Sequence, residues 1–382
     1  MAERWDIFCR VVDNFGDAGV CWRLARQLVH EHRLQVRLWI DDLASLARLE
    51  PSVSIVQRQY ACGVEVRLWD ASPGGQTDVE PAQVVIEGFG CGLPERYVAA
   101  MAACPRPPVW IVLEYLSAEA WVREHHGLPS PHPRLPLVRH FFFPGFDPGT
   151  GGLLRERDLF DRRDAYDAAC RRAFWHSVGH DPVPNEAIAV SVFAYESAPL
   201  GALLQVWEGG TGKVVVALPE GRAIDAALAH FGVDSAPPSG VLRRGALEVR
   251  LLAFVPQVRY DELLWSCDLN FVRGEDSFVR AQWAARPLVW HIYPQEDRAH
   301  WRKLDAFVDR YTEGLPAPAA SAAAGLMHFW SSTESLPAQT VWTDFLRERG
   351  ALSDHARAWA ARLAAIGGLA DHLARFCQDK LK

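Results

Sequence analysis

Short apolar runs alternate with helical patterns along this chain, and the alternation starts twice. Trp5 to Val12 (WDIFCRVV) reads as a buried strand, followed by the loop DNFGDAG and a helical pattern from Val20 to His32. Further strands are predicted at Gln35 to Ile40, Val64 to Trp69, Gln83 to Ile86 and Val109 to Leu113. A helix over Pro94 to Ala103 separates the last two, with Pro94 suited to a first helical turn. The rhythm breaks over residues 127–160, where proline and glycine are dense, and residues 161–178 then read as helical. A second break covers Gly179 to Asn185, after which the alternation restarts. Strands are predicted at Ala187 to Tyr195, Val214 to Leu218, Val249 to Phe254, Leu269 to Val272 and Pro287 to Ile292. The helices between them are Leu200 to Trp207, Ile224 to Phe231, Tyr260 to Ser266 and Phe278 to Ala285, and the tail from about Thr340 is helical. Strands alternating with helices make βαβ units and parallel sheets. The chain therefore reads as α/β, with domains over residues 1–180 and 181–354. Ligands in such sheets bind beyond the carboxyl ends of the strands.

Composition narrows the class. A length of 382 residues suits two domains, and 49% hydrophobic with 23% charged residues suits packed cores. A formal net charge of -7 argues against a general nucleic-acid binder, which carries a basic excess. None of the eight cysteines forms a CxxC pair, so neither a zinc knuckle nor a dithiol redox site is indicated; they read as reduced core thiols. Glu3, Arg4 and Asp6 precede any apolar stretch, unlike a signal peptide, and no run reaches the roughly 18 apolar residues of a membrane span. These features predict a cytoplasmic protein with no membrane association.

Several motifs fail on spacing. GFGCGLP (Gly88 to Pro94) lacks the third glycine of a dinucleotide fingerprint and reads as a tight turn. In GGTGK, Trp207 and Val214 stand where a phosphate loop needs glycine and Ser or Thr. His125, His126, His132 and His140 have no HExxH spacing and no cysteine partner, so no metal is expected.

Three constellations carry chemistry. Asp13-Asn14-Phe15-Gly16-Asp17-Ala18-Gly19 follows the first strand and puts two carboxylates four residues apart before a helix. Helix capping by one aspartate is the alternative, and it accounts for one Asp better than for the pair. Phe271-Val272-Arg273-Gly274-Glu275-Asp276-Ser277 likewise joins a strand to a helix start, whose free N–H groups suit a diphosphate. Arg273 supplies positive charge there, Glu275 a partner for a sugar hydroxyl, and Asp276 or Ser277 a cap. Phe193 and Tyr195 end one strand of the second half and Phe254 and Gln257 another, where rings can stack on a nucleobase and an amide can read its edge.

VVDNFGDAGVCWRLARQL, LEYLSAEAWV, SVFAYE and FVRGEDSFVRAQWA together resemble the EarP family, protein-arginine rhamnosyltransferases of elongation factor P, over the whole chain. The resemblance implies a GT-B fold of two Rossmann-like domains, with a C-terminal helix at about 355–382 returning to the first. It implies TDP-β-L-rhamnose as donor, inversion at the anomeric carbon, no metal or other cofactor, and one arginine of elongation factor P as acceptor. Rhamnosylation would activate that factor for polyproline synthesis. By motif match, Asp13, Asp17 and Glu275 are the essential acidic residues. Phe193, Tyr195, Phe254, Gln257, Arg273, Asp276 and Ser277 match donor positions, and Phe15 and Gly16 are placed beside the donor. Glu114 and Tyr115 are acceptor-side candidates, as is the loop around His140 to Phe146, with burial in the core the equal alternative for its HFFFPGF run. Arg134, Arg139, Arg155 and Arg157 could give the acceptor a basic face. The competing readings are another inverting GT-B transferase with a different nucleotide sugar or acceptor, and a non-catalytic nucleotide-sugar-binding protein.

Overall fold

Both sheets are built around apolar runs buried on each face. The structure, a computed structural model, describes residues 3–13, 15–70, 80–294, 298–332 and 337–382, so Asn14 of the first loop lies outside the described residues. Two units are formed: Met1–Arg157 with Leu363–Lys382, and Asp158–Arg362.

In unit 1 the chain forms β1 (Arg4–Cys9), α1 (Gly16–His32), β2 (Gln35–Ile40), α2 (Leu43–Leu49), β3 (Arg58–Ala61) and β4 (Val64–Leu68). It continues with β5 (Val84–Gly88), α3 (Glu95–Ala103), β6 (Val109–Leu113), α4 (Trp121–His125), β7 (Pro129–Pro131) and β8 (Val138–Phe142). The sheet order is β3-β4-β2-β1-β5-β6-β8-β7. β3 and β7 pair antiparallel at the two edges, and the strands between them are parallel. The order reverses beside β1, so the switch point lies between the ends of β1 and β5. Asp6 is fully buried in β1, where Arg37 of β2 donates two 2.5 Å hydrogen bonds to it and Tyr97 of α3 donates another. A charge in so closed a core is tolerated only with this complete set of partners.

Unit 2 opens with α5 (Leu159–Asp164) and α6 (Ala168–Ser177), then β9 (Ile188–Val192), α7 (Leu200–Glu208), β10 (Val214–Pro219), α8 (Ala223–Phe231), β11 (Val241–Arg244) and β12 (Leu247–Leu252). There follow α9 (Gln257–Trp265), β13 (Leu269–Arg273), α10 (Asp276–Trp283), β14 (Leu288–His291), α11 (Ala299–Thr312) and α12 (Ala317–Ser331). The order β11-β12-β10-β9-β13-β14 repeats the logic of unit 1, with β11 antiparallel at one edge and the switch point between β9 and β13.

The chain passes back into unit 1 within α13 (Ala338–Ile366), breaks at Gly367, whose φ is 104°, and ends in α14 (Leu369–Leu381). The expected single terminal helix is therefore two helices. Leu369, Leu373 and Cys377 of α14 are buried where it packs on α1 and β6, and the Leu369 N–H donates to the Leu153 carbonyl.

Two other expectations shift. The first unit ends at Arg157, not at residue 180, because Phe174 and Trp175 of α6 pack with Ala189, Val215 and Leu263 in the core of unit 2. The proline-rich stretch is not all loop: β8 pairs with β6, and Phe142, Phe143 and Phe146 of HFFFPGF are core. Two of the four arginines have contacts of their own. Arg157 donates to Glu31 and Asp371, and Arg139 lies 5.5 Å from the Trp110 ring centroid. Among the described residues no helix is long and apolar enough to cross a membrane.

Candidate active site

Unit 1 carries the paired aspartates at its switch point. After β1 the chain turns, with the Gly16 N–H donating to the Asp13 carbonyl at 2.7 Å, and α1 begins. Phe15 holds the N-cap position of α1 without a side-chain cap bond, and Arg48 lies 5.8 Å from its ring centroid. Asp17 does not cap the helix in the ordinary sense. Asp17, in the first turn, reaches backwards: its Oδ2 accepts the N–H groups of Val12 at 2.8 Å and Asp13 at 3.0 Å. Its Oδ1 accepts the Tyr115 hydroxyl at 3.3 Å. Asp17 is 1% exposed, and burial pushes its carboxyl above the ordinary carboxylate range. The two backbone bonds and the Tyr115 hydroxyl oppose that rise, while the neighbouring Asp13 charge adds to it. Asp13 is partly exposed, and a Cβ on Gly16 would come within 3.1 Å of its Oδ2, so a side chain there would push that carboxylate by a few tenths of an ångström. Glu114 and Tyr115 follow β6 directly and are half-buried, with the Glu114 N–H donating to the Phe142 carbonyl. Asp13, Phe15, Gly16, Asp17, Glu114 and Tyr115 thus stand beyond the ends of β1 and β6, the two strands that flank β5.

Unit 2 gathers the second group at its own switch point. The Arg273 guanidinium, at the end of β13, lies 4.5 Å from the ring centroids of both Phe193 and Tyr195, which follow β9. Those rings, candidates for stacking on a nucleobase, flank a cation here. The left-handed turn at Gly274 (φ 57°) is clamped by Trp290, whose Nε1 donates to the Gly274 carbonyl, and leads into α10 with Glu275 at the N-cap. Ser277 does not cap: its Oγ donates to the Arg273 carbonyl at 2.5 Å and accepts the Arg273 N–H at 3.1 Å, closing the strand-to-helix turn. Gln257, the first residue of α9, donates to Asp276 Oδ2 at 3.0 Å. Phe254 is half-buried in the segment between β12 and α9. Deeper in, Arg280 in the last turn of α10 makes a bidentate pair with Asp261, midway along α9, at 2.7 and 2.6 Å, fixing the two helices against each other.

His291 was not foreseen. It ends β14, is 1% exposed, and its Nδ1 accepts the Tyr195 N–H at 3.2 Å while its ring meets the Tyr195 ring edge-on. Burial first, and the Arg273 charge second, hold its pKa down at about 3. Its only sequence signal is a histidine at the end of an apolar run. The loop histidines take up backbone contacts: His125 with Trp121, and His126 with Phe143. Among the described residues, Glu31, His32 and Asp371 are close enough to share a metal ion, but the Arg157 guanidinium already lies against both carboxylates.

Unit 1 thus brings one buried and one partly exposed carboxylate to its switch point, and unit 2 an arginine and a helix start. Comparisons with known proteins give the family. The family described as Elongation-Factor P (EF-P) rhamnosyltransferase EarP matches residues 5–378. A protein-arginine rhamnosyltransferase of Pseudomonas putida KT2440 is 47% identical over 384 residues, covering 100% of both chains. A solved structure from work on EarP-mediated arginine glycosylation of translation elongation factor EF-P superposes with a TM-score of 0.70 at 36% identity, covering 99% of each chain. The spinosyn rhamnosyltransferase SpnG, at 14% identity and a TM-score of 0.51 over 97% of this chain and 99% of its own, shares the fold alone, which is GT-B. Since the match runs through both units and nearly half of all residues are identical end to end in one relative, the chain belongs to the EarP family of protein-arginine rhamnosyltransferases.

Proposed function

We propose that this enzyme transfers L-rhamnose from TDP-β-L-rhamnose to one arginine side chain of elongation factor P in the cytoplasm, with inversion and without a metal. The product is elongation factor P activated for polyproline synthesis. The observation that carries the reading is Asp17, a carboxylate buried at a switch point, with its pKa raised and its orientation fixed by three hydrogen bonds. A guanidinium keeps its proton below a pKa of about 12 and is a poor nucleophile until a base takes that proton during attack. Asp17 is that base, and its raised pKa suits the task. Asp13 orients the guanidinium, and Glu114 and Tyr115 line the acceptor side. As the guanidinium nitrogen bonds to the anomeric carbon, the bond from that carbon to the diphosphate oxygen breaks and the nitrogen's proton passes to Asp17. A single displacement inverts the centre, as in inverting glycosidases.

Negative charge develops on the departing diphosphate. Arg273, held between Phe193 and Tyr195, and the N–H groups opening α10 at Asp276 and Ser277 stabilise it electrostatically, which is the reason for assigning no metal. Phe254 and Gln257 take the nucleotide, Phe15 and Gly16 adjoin the sugar, and Glu275 holds a sugar hydroxyl. The test is the intact mass of elongation factor P after incubation with the enzyme and TDP-L-rhamnose. A gain of one deoxyhexose on an arginine, absent with Asp17→Asn while that variant still binds donor by calorimetry, is the expected result. No gain with the wild-type enzyme refutes the assignment of donor or acceptor.

A further inference from the structure

The turn GFGCGLP, rejected above as a dinucleotide fingerprint, holds an unusual residue. Phe89 follows β5 directly, at the switch point of unit 1, and has a φ of 57°. That left-handed region is natural for glycine and strained for an aromatic residue. Gly88 and Gly90 stand on either side, so the chain had glycine at hand and yet places a ring between them. Such strain persists where the surroundings determine it, and here they do. The Phe89 N–H donates to the Leu113 carbonyl at 2.6 Å, tying the turn to the end of β6 two residues before Tyr115. The Phe89 ring then lies on the Tyr115 ring, with centroids 4.4 Å apart and planes 18° from parallel. Tyr115 in turn donates its hydroxyl to Asp17 Oδ1.

We propose that Phe89 is a positioning residue for transfer: its ring fixes the Tyr115 phenol, and so fixes the hydrogen bond that orients Asp17. The proposal rests on the reading of Asp17 as base. An aromatic stack leaves a tyrosine no freedom to swing about its side-chain bonds, and a hydroxyl 3.3 Å from its acceptor is lost with a small rotation. The groups facing Asp17 are Asp13 from the loop, Cys9 from β1, Tyr115 from the end of β6, and the backbone N–H groups of Val12 and Asp13. Of these, the Tyr115 hydroxyl depends on a side chain that another side chain holds.

The test uses Phe89→Gly, which removes the ring and also relieves the left-handed strain, so loss of fold does not confuse the outcome. Rates of transfer from TDP-L-rhamnose to elongation factor P are measured against pH, with Tyr115→Phe, the double variant, Phe89→Tyr and Asp17→Asn alongside. The Tyr115 bond favours ionised Asp17, and the base acts when ionised, so losing the bond moves the acid limb of the profile to higher pH. Phe89→Gly is expected to move that limb as Tyr115→Phe does and to lower kcat/KM at pH 7 roughly tenfold. The double variant is expected to do no worse than Tyr115→Phe, and Phe89→Tyr, which keeps the stack, to rescue most of the loss. A wild-type profile in Phe89→Gly, or independent effects in the double variant, overturns the Phe89 assignment while Asp17→Asn remains inactive. Retained turnover in Asp17→Asn overturns the base reading and this one with it.

Discussion

Arg280 and Asp261 offer a direct measure of how firmly α10 is held against α9. They are 1% and 3% exposed and joined by two parallel bonds of 2.7 and 2.6 Å. Replacing Arg280 with methionine keeps the bulk and removes the charge, leaving the Asp261 carboxylate buried without its partner. Breaking a buried pair on one side costs ~3–5 kcal/mol, far above the ~0–1 kcal/mol of a surface pair. For a unit of about 200 residues that corresponds to a fall in Tm of roughly 6–20 °C. Removing both charges, as in Arg280→Met with Asp261→Leu, leaves no orphan and is expected to recover at least half of the loss. Hydrogen exchange of unit 2 peptides against urea is the appropriate assay, because it separates opening of this unit from that of unit 1. Calorimetry with TDP adds a functional reading, since the pair sets Gln257 and Asp276 at their 3.0 Å contact, and the single variant is expected to bind TDP more weakly. A single variant that costs less than about 1 kcal/mol, or a double variant as unstable as the two singles summed, refutes the argument.

Other expectations follow from the same geometry. Burial raises the Asp17 carboxyl, so the folded state holds that proton more tightly than the unfolded chain; wild type and Asp17→Asn should melt alike below about pH 3.9, and wild type should fall below the variant as pH rises through the raised value. Parallel melting curves at all pH values contradict this. Arg273→Lys keeps the charge but loses the planar group that fits between Phe193 and Tyr195, and TDP affinity should fall about tenfold by calorimetry. With a pKa of about 3, His291 should show no ring titration by NMR above pH 5, whereas an exposed histidine moves near 6.5. Gly274→Ala places a side chain at φ 57° and should cost ~1 kcal/mol or more of stability, with weaker TDP binding.

Strands buried on both faces were readable because their apolar runs need no partner to be recognised: Gln35–Ile40 and Val109–Leu113 form as the sequence suggests. α1 begins at Gly16, four residues before the pattern shows it, because glycine and aspartate disguise a first turn that the loop after β1 enforces. β8 was hidden among prolines, since what makes it a strand is the open edge of β6 rather than its own composition. The domain boundary was misplaced for a similar reason: α5 and α6 follow the first break in rhythm, but their aromatic residues belong to the second core. At the site, charged residues after strand ends were legible. What could not be read was which neighbour each one meets. The capping alternatives for Asp17 and Ser277 fail only because their oxygens point back to Val12, Asp13 and Arg273. Phe89 and His291 carry no local signature, since each acts through a residue distant in sequence.

The return of the chain to unit 1 has a consequence for biosynthesis. Residues 1–157 are made before unit 2, but the helix that covers α1 and β6 is made after it. At ~5–20 residues per second the intervening unit takes roughly 10–40 seconds to translate. During that interval the face that will bury Leu369, Leu373 and Cys377 stands open, and only translation through α14 closes it. A chain that stops before Leu363 therefore leaves an apolar surface for chaperones and proteases to read.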